Sequence, residues 1–122
     1  MARILIIDDD AALRRTMRKI VERMGHLAEE AEDGAVGLRL FREGGYDLVV
    51  TDLLMPEKEG IETILELREE DPEVPILAVS GGMTLDGTGP LADAEALGAD
   101  ASLPKPFAVG EFSEAIQGLL DD

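Results

Sequence analysis

Five polar residues stand at or just past the ends of short apolar runs, and their chemistry is the first thing the sequence offers. Asp8 and Asp9 follow Ile4-Leu5-Ile6-Ile7, Asp52 follows Leu48-Val49-Val50, Ser80 follows Ile76-Leu77-Ala78-Val79, and Lys105 lies beyond Ala101-Ser102-Leu103. Unbroken apolar runs of this kind read as strands buried on both faces of a parallel sheet. In an open α/β sheet the ligand site lies outside the carboxyl ends of the strands, where the strand order reverses. All five residues are therefore expected at one sheet edge, where three carboxylates, a hydroxyl and an amine converge. Carboxylates held that close repel one another unless a cation joins them, and a small all-oxygen set suits Mg²⁺ with several waters retained. Asp8, Asp9 and Asp10 could instead cap the first helix, which accounts well for one acid and poorly for three in a row. Lys105 taken alone reads as a surface lysine, and the Ser80 hydroxyl could equally satisfy a strand-end backbone group.

The elements that must position these residues follow from periodicity. Leu27 to Ala31 and Ala101 to Leu103 mix apolar with polar or small residues and suit the two sheet edges. Helical spacing joins Leu13, Met17, Ile20, Val21 and Met24; then Ala35, Leu38 and Phe41; then Ile61, Ile64, Leu65 and Arg68, whose stem can continue the face. Leu91, Ala94 and Leu97 predict a shorter fourth helix, and Phe112, Ile116, Leu119 and Leu120 a fifth. Gly25, Gly44-Gly45 and Gly98 each follow a stripe and are expected to supply left-handed C-terminal caps, while Asp10 and Asp33 are candidate N-caps. Alternating strand and helix units with right-handed crossovers predict a doubly wound α/β fold: a five-stranded parallel sheet of order 2-1-3-4-5 with five helices, a flavodoxin-like three-layer sandwich. Residues 1–122 read as one domain, without internal repeats, and the glycine-rich stretch from Gly81 to Pro90 as a long loop inside it.

Composition narrows the partners. With 122 residues, 45% of them apolar, the chain can bury a core of its own. A net charge of −16 repels phosphate backbones and anionic headgroups, which argues against nucleic acid and membrane as partners. The one compact basic cluster, Arg14, Arg15, Arg18, Lys19 and Arg23, runs along one helix and is expected to balance acids or dock a protein. The absence of cysteine excludes disulfides, thiolate metal sites and cysteine nucleophiles. The first apolar run is too short for a signal peptide or a membrane span, so a cytoplasmic location is expected. His26, after Gly25 at a helix end, is expected to be solvated or to offset the helix dipole. Met17, Met24, Phe41 and Phe112 are expected in the core, and Glu69-Glu70-Asp71 at a solvated helix end.

Taken in order, Ile4-Leu5-Ile6-Ile7-Asp8-Asp9-Asp10, the segment from Tyr46 through Asp52 to Pro56, Gly60, Pro75-Ile76-Leu77-Ala78-Val79-Ser80, Gly98-Ala99-Asp100 and Lys105-Pro106-Phe107 resemble the receiver domain of two-component response regulators. Each piece is weak alone; the ordered set is specific and covers essentially the whole chain. The resemblance implies that Asp52 is the phosphoacceptor, that Asp8 and Asp9 form the acidic Mg²⁺ pocket, and that the Leu54 backbone carbonyl completes the protein's metal ligands. It also implies a cis Lys105-Pro106 peptide, which only X-Pro bonds adopt cheaply. The implied donor is a phosphohistidine on a sensor histidine kinase or a histidine phosphotransfer protein. Asp52 would be the nucleophile of an in-line transfer, with Mg²⁺ and the Lys105 ammonium offsetting charge on the phosphoryl oxygens. Ser80 would donate to the new phosphoryl group and draw the following loop inward. Such a module catalyses its own phosphorylation and is not a turnover enzyme.

Two features depart from the family pattern. Ser102 stands where typical receivers carry an aromatic switch residue, so the signal is expected to travel through the loop after Ser80 or the fourth helix. The stretch from Ser80 to Lys105 is a few residues longer than usual, and residues 81–90 are expected to become ordered on phosphorylation and to be read by a partner. Leu54 and Gly82 fall at positions that in the family influence phosphate lifetime; an apolar Leu54 offers no hydrogen bond to an attacking water and implies moderately slow self-dephosphorylation. An aspartate-nucleophile phosphatase would need a second acid at the position of Leu54. A flavin module would need a phosphate cradle in place of Asp8-Asp9-Asp10. Read as a stand-alone domain, the chain is expected to act by binding a downstream protein target, or as a phosphate shuttle or sink.

Overall fold

The structure, a computed structural model, describes residues 1–53, 60–80 and 98–121. Along the chain come β1 (Arg3–Ile7), α1 (Ala11–Arg23), β2 (Leu27–Ala31), α2 (Gly34–Glu43), β3 (Leu48–Asp52), α3 (Gly60–Glu70), β4 (Ile76–Ser80), β5 (Ala101–Pro104) and α4 (Val109–Leu120). The five strands are all parallel, in the order β2-β1-β3-β4-β5. This is the predicted doubly wound sheet, with the order reversing between β1 and β3. The helix expected over Leu91, Ala94 and Leu97, the loop 81–90, Leu54 and Gly82 lie outside the described residues.

Strand alternation splits the apolar runs into two cores. Ile4, Ile6, Leu48, Val50, Leu77 and Val79 pack beneath Met17, Ile20 and Val21 of α1 and Phe112 and Ile116 of α4. Leu5, Ile7, Val49, Ile76 and Ala78 face the other way, toward Leu38 of α2 and Ile64 and Leu67 of α3. β3 and β4 are buried along their whole length, which is why they read as unbroken apolar runs. The edge strand β2 is only partly buried, as its Glu29-Glu30 pair requires.

Three expectations about faces and caps are corrected. Ala35 is exposed, and the sheet-facing stripe of α2 is Gly34, Gly37 and Leu38. Leu65 is 43% exposed while Leu67 is fully buried. The buried face of α3 thus turns the other way from Ile64, and Arg68 lies at its margin. Gly44 is extended (φ −148°) and is no left-handed cap; the end of the Arg3 side chain lies against it, where a Cβ would stand 3.0 Å from Nη1. Gly25 (φ +92°) does close α1 in the left-handed region, and Gly98 (φ +135°) precedes β5. Asp10 and Asp33 cap as predicted: Leu13 N–H donates to Asp10 Oδ1 at 3.1 Å and Val36 N–H to Asp33 Oδ1 at 2.9 Å.

Arg68 does more than continue a face. Its guanidinium donates to Gly98 O (2.9 Å), Val74 O (2.6 Å) and Asp100 Oδ2 (2.6 Å), tying the end of α3 to the turns leading into β4 and β5. His26 is likewise engaged rather than merely solvated: Ala2 N–H donates to its Nδ1 at 3.0 Å, joining the end of α1 to the start of β1. Among the described residues, no helix is long and apolar enough to cross a membrane.

Candidate functional site

Register brings the polar strand ends level. Ile7 pairs with Ala31 and with Thr51, Asp52 pairs with Val79, and Ser80 pairs with Pro104. The ladder then runs one residue past the strands. Asp8 N–H donates to Ala31 O (3.1 Å), Leu53 N–H to Val79 O (3.1 Å) and Lys105 N–H to Ser80 O (2.9 Å). Asp8, Asp52, Ser80 and Lys105 thus lie along one edge of the sheet, at the reversal of strand order, where a parallel sheet places its site.

The side chains converge as their spacing predicts. Lys105 Nζ lies 3.1 Å from Asp8 Oδ2 and 3.2 Å from Asp52 Oδ2, an ammonium bridging two carboxylates. Asp8 and Ser80 are fully buried and Asp52 is 4% exposed, whereas Asp9 is exposed. One carboxylate oxygen from each of Asp8, Asp9 and Asp52 lies within 4.8 Å of the others. The acidic triplet divides its labour: Asp10 caps α1, and its N–H donates to Asp8 Oδ1 at 2.9 Å. Lys105-Pro106 is cis, as the family pattern implied. Beside the site, Lys105 borders a recess of about 320 Å³ that Asp10, Leu13, Pro106 and Phe107 also line.

Electrostatics mark the cluster as short of positive charge. Burial, then the Asp52 charge, push the Asp8 carboxyl above its ordinary value, even though the Asp10 N–H and Lys105 pull the other way. Burial alone would lower the Lys105 ammonium, but the charges of Asp52 and Asp8 and their hydrogen bonds outweigh it and hold the amine above the usual lysine value. Among the described residues, one ammonium faces three carboxylates. A hard divalent cation taking oxygen ligands fits that donor set, with Asp8, Asp9 and Asp52 as the residues that could hold it.

Sequence reasoning missed one part of this neighbourhood. Arg14 Nη1 donates to the Asp8 backbone carbonyl at 2.8 Å and Arg14 Nε to Glu30 Oε1 at 2.8 Å, while Arg18 Nη1 takes the other Glu30 oxygen at 3.1 Å. Two members of the basic cluster therefore balance an acid on β2, as expected, but Arg14 also reaches the site's own backbone. The signal was available: Arg14 lies three residues before Met17 and seven before Val21, on the margin of the buried stripe.

Comparison with known proteins agrees with the fold. The sequence profile of the response regulator receiver domain matches residues 4–117. The response regulator MprA of Mycobacterium sp. (strain KMS) is 36% identical over 118 residues, 97% of this chain and 50% of that protein. The chain spans about half the length of the curated relatives it matches. Among solved structures, a CheY-like receiver domain protein from Methanospirillum hungatei superposes with a TM-score of 0.90 at 29% identity, covering 99% of this chain and 94% of that one. The response regulator TrrA of Thermotoga maritima, in complex with Mg²⁺ and BeF, gives a TM-score of 0.86 at 29% identity, covering 98% of this chain and 100% of that one. The chain belongs to the response regulator receiver domains, which are phosphorylated on an aspartate in two-component phosphorelay signalling.

Proposed function

We propose that Asp52 is the aspartate that takes the phosphoryl group, in a pocket where Asp8, Asp9 and Asp52 hold Mg²⁺, with the Leu54 carbonyl as a further ligand. The observation that carries this reading is the bridging ammonium: Lys105 Nζ joins the buried Asp8 and Asp52 carboxylates at the carboxyl edge of the sheet. Asp8 is tied at both oxygens, one by the Asp10 N–H and one by Lys105, which suits it to a holding role. Asp52, at the end of the central strand β3 and joined to Asp8 through Lys105, serves as the nucleophile in this reading.

In the transfer, an Asp52 carboxylate oxygen forms the new P–O bond as the bond from phosphorus to the donor's imidazole nitrogen breaks. When bound, the metal ion offsets negative charge on the phosphoryl oxygens. Lys105 holds the Asp52 carboxylate in place and presents its ammonium to the same oxygens. Ser80, buried at the end of β4, donates its hydroxyl to the new phosphoryl group, and the loop that follows is the switch. The capture of Mg²⁺ and BeF, a tetrahedral stand-in for a phosphoryl group, by the Thermotoga relative supports the assignment of the metal.

The donor in this reading is a phosphohistidine of a sensor kinase or phosphotransfer protein, met in the cytoplasm. The output is binding of a protein target, with no small substrate turned over. The acceptor is tested by phosphorylating the chain with acetyl phosphate and Mg²⁺, reducing the acyl phosphate with borohydride and mapping the peptides. Homoserine at position 52 is the expected product. Reduction at position 8 or 9, with position 52 untouched, would reassign the acceptor.

A further inference from the structure

We infer that Arg14 is a positioning residue for the acidic pocket: by holding the Asp8 carbonyl it fixes the peptide plane between Asp8 and Asp9, and so sets where the Asp9 carboxylate stands. The inference rests on the reading of Asp8, Asp9 and Asp52 as the Mg²⁺ pocket.

The Asp9 carboxylate is exposed, so what the protein fixes of its place is the direction of its Cα–Cβ bond, which the backbone sets. The two peptides flanking Asp8 are both anchored to β2. The one before it donates its N–H to Ala31 O at 3.1 Å. The one after it offers its carbonyl to Arg14 Nη1 at 2.8 Å, and Arg14 is itself clamped by Glu30 through Nε at 2.8 Å. Glu30 directly precedes Ala31, so one short stretch of the edge strand registers both. The Arg14 and Glu30 side chains are 17% and 20% exposed, which shields the pair from solvent screening more than a surface pair. Arg18 holds the second Glu30 oxygen at 3.1 Å, so the acid cannot rotate away without losing two partners. Burial alone would raise the Glu30 carboxyl, but the hydrogen bonds from Arg18 and Arg14 outweigh it, and Glu30 remains charged well below neutral pH.

Positioning and electrostatics predict opposite signs, which makes the role measurable. A cation beside a metal pocket repels the metal, so deleting the Arg14 charge tightens Mg²⁺ binding if charge is all that matters. If Arg14 aims the pocket, deletion loosens binding. Lysine keeps the charge and the stem but not the fork that serves two acceptors at once.

The test is calorimetric titration of Mg²⁺ into the native chain, Arg14→Met and Arg14→Lys, with melting temperatures in chelator measured alongside. Both variants are expected to bind Mg²⁺ about tenfold more weakly, the size of effect seen when a group that orients a metal ligand is lost. Arg14→Lys is expected to keep a near-native melting temperature in chelator. Arg14→Lys binding as tightly as the native chain, or Arg14→Met binding more tightly, would overturn the inference, as would melting temperatures that fall while affinities stay equal. Should Arg14→Met not fold, Arg14→Lys alone decides. If the native chain takes up no Mg²⁺, it is the pocket reading that has failed, and the positioning role falls with it.

Discussion

At the scale of single residues, Asp8 bears the cost of the site. It is fully buried against Asp52, and burial and repulsion together leave its ionised form less favourable than in water. Replacing it by an isosteric neutral side chain removes that penalty while Lys105 keeps Asp52 as its partner. Asp8→Asn is therefore expected to raise stability in chelator by about 1–2 kcal/mol, several degrees in melting temperature for a domain of this size, and to weaken Mg²⁺ binding. That is the pattern of a functional site held at the expense of stability. Thermal melts of the two chains in EDTA check it, and a lower melting temperature for Asp8→Asn would contradict it.

Tyr46 offers a second residue-scale test, because it is the sole tyrosine in a chain without tryptophan. Burial first, then its hydrogen bond to Glu29, push its phenol from 10.0 up to about 12. The folded state therefore keeps a proton that the unfolded chain releases near pH 10. The stabilisation is complete below pH 10 and is lost as pH rises from about 10 to 12. A phenolate absorbance titration is expected to show little ionisation at pH 10 while circular dichroism still reports a folded chain. A midpoint near 10 in the folded state would show that Tyr46 is not buried as described.

At the scale of elements, Gly37 sets how closely α2 lies on β1. A Cβ at that position would come within 2.7 Å of Ile7 Cγ1 and closer still to Cδ1, and Ile7 immediately precedes Asp8. Alanine gains roughly 1 kcal/mol of helix propensity, but the buried Ile7 has no room to give, and overpacking costs about 1–3 kcal/mol. Gly37→Ala is expected to destabilise the fold by about 1 kcal/mol net in denaturant melts; a more stable variant would mean that Ile7 repacks freely.

The strands and caps were legible because their signals are local. Unbroken apolar runs marked β1, β3 and β4, and a carboxylate ahead of an apolar stripe marked the N-caps of α1 and α2. Helix faces were harder. Ala35 and Leu65 belong to stripes that look apolar in sequence, yet α2 approaches the sheet through Gly34 and Gly37, and α3 through Thr63, Ile64 and Leu67. Close helix–sheet approach selects small residues, which a hydrophobic periodicity does not see. The convergence of Asp8, Asp9, Asp52, Ser80 and Lys105 on one edge followed from strand-end logic alone. The Arg14 and Glu30 contacts did not, because pairing between α1 and β2 depends on their relative placement, which composition does not encode.

At the scale of the whole molecule, a net charge of −16 sets the terms of phosphorylation. A phosphoryl group carries about 1.5 to 2 negative charges but replaces the single charge of the aspartate it esterifies, so a surface already in deficit gains roughly 0.5 to 1 more. Five of the eleven basic residues are spent along α1, where Arg14 and Arg18 are engaged with Glu30, and among the described residues Lys105 is the base that faces the acids of the site. The Lys105 ammonium alone cannot offset the three carboxylates and an incoming phosphoryl group. Transfer in this chain should therefore depend strictly on a divalent cation. The measurement that tests this most directly is intact mass after incubation with acetyl phosphate or phosphoramidate, for the native chain with Mg²⁺, the native chain with chelator, and Asp52→Asn with Mg²⁺. A gain of one phosphoryl group in the first sample alone is the result expected. Equal gain in Asp52→Asn or in chelator, or no gain in any sample, would contradict the assignment of Asp52 as a Mg²⁺-dependent phosphoacceptor.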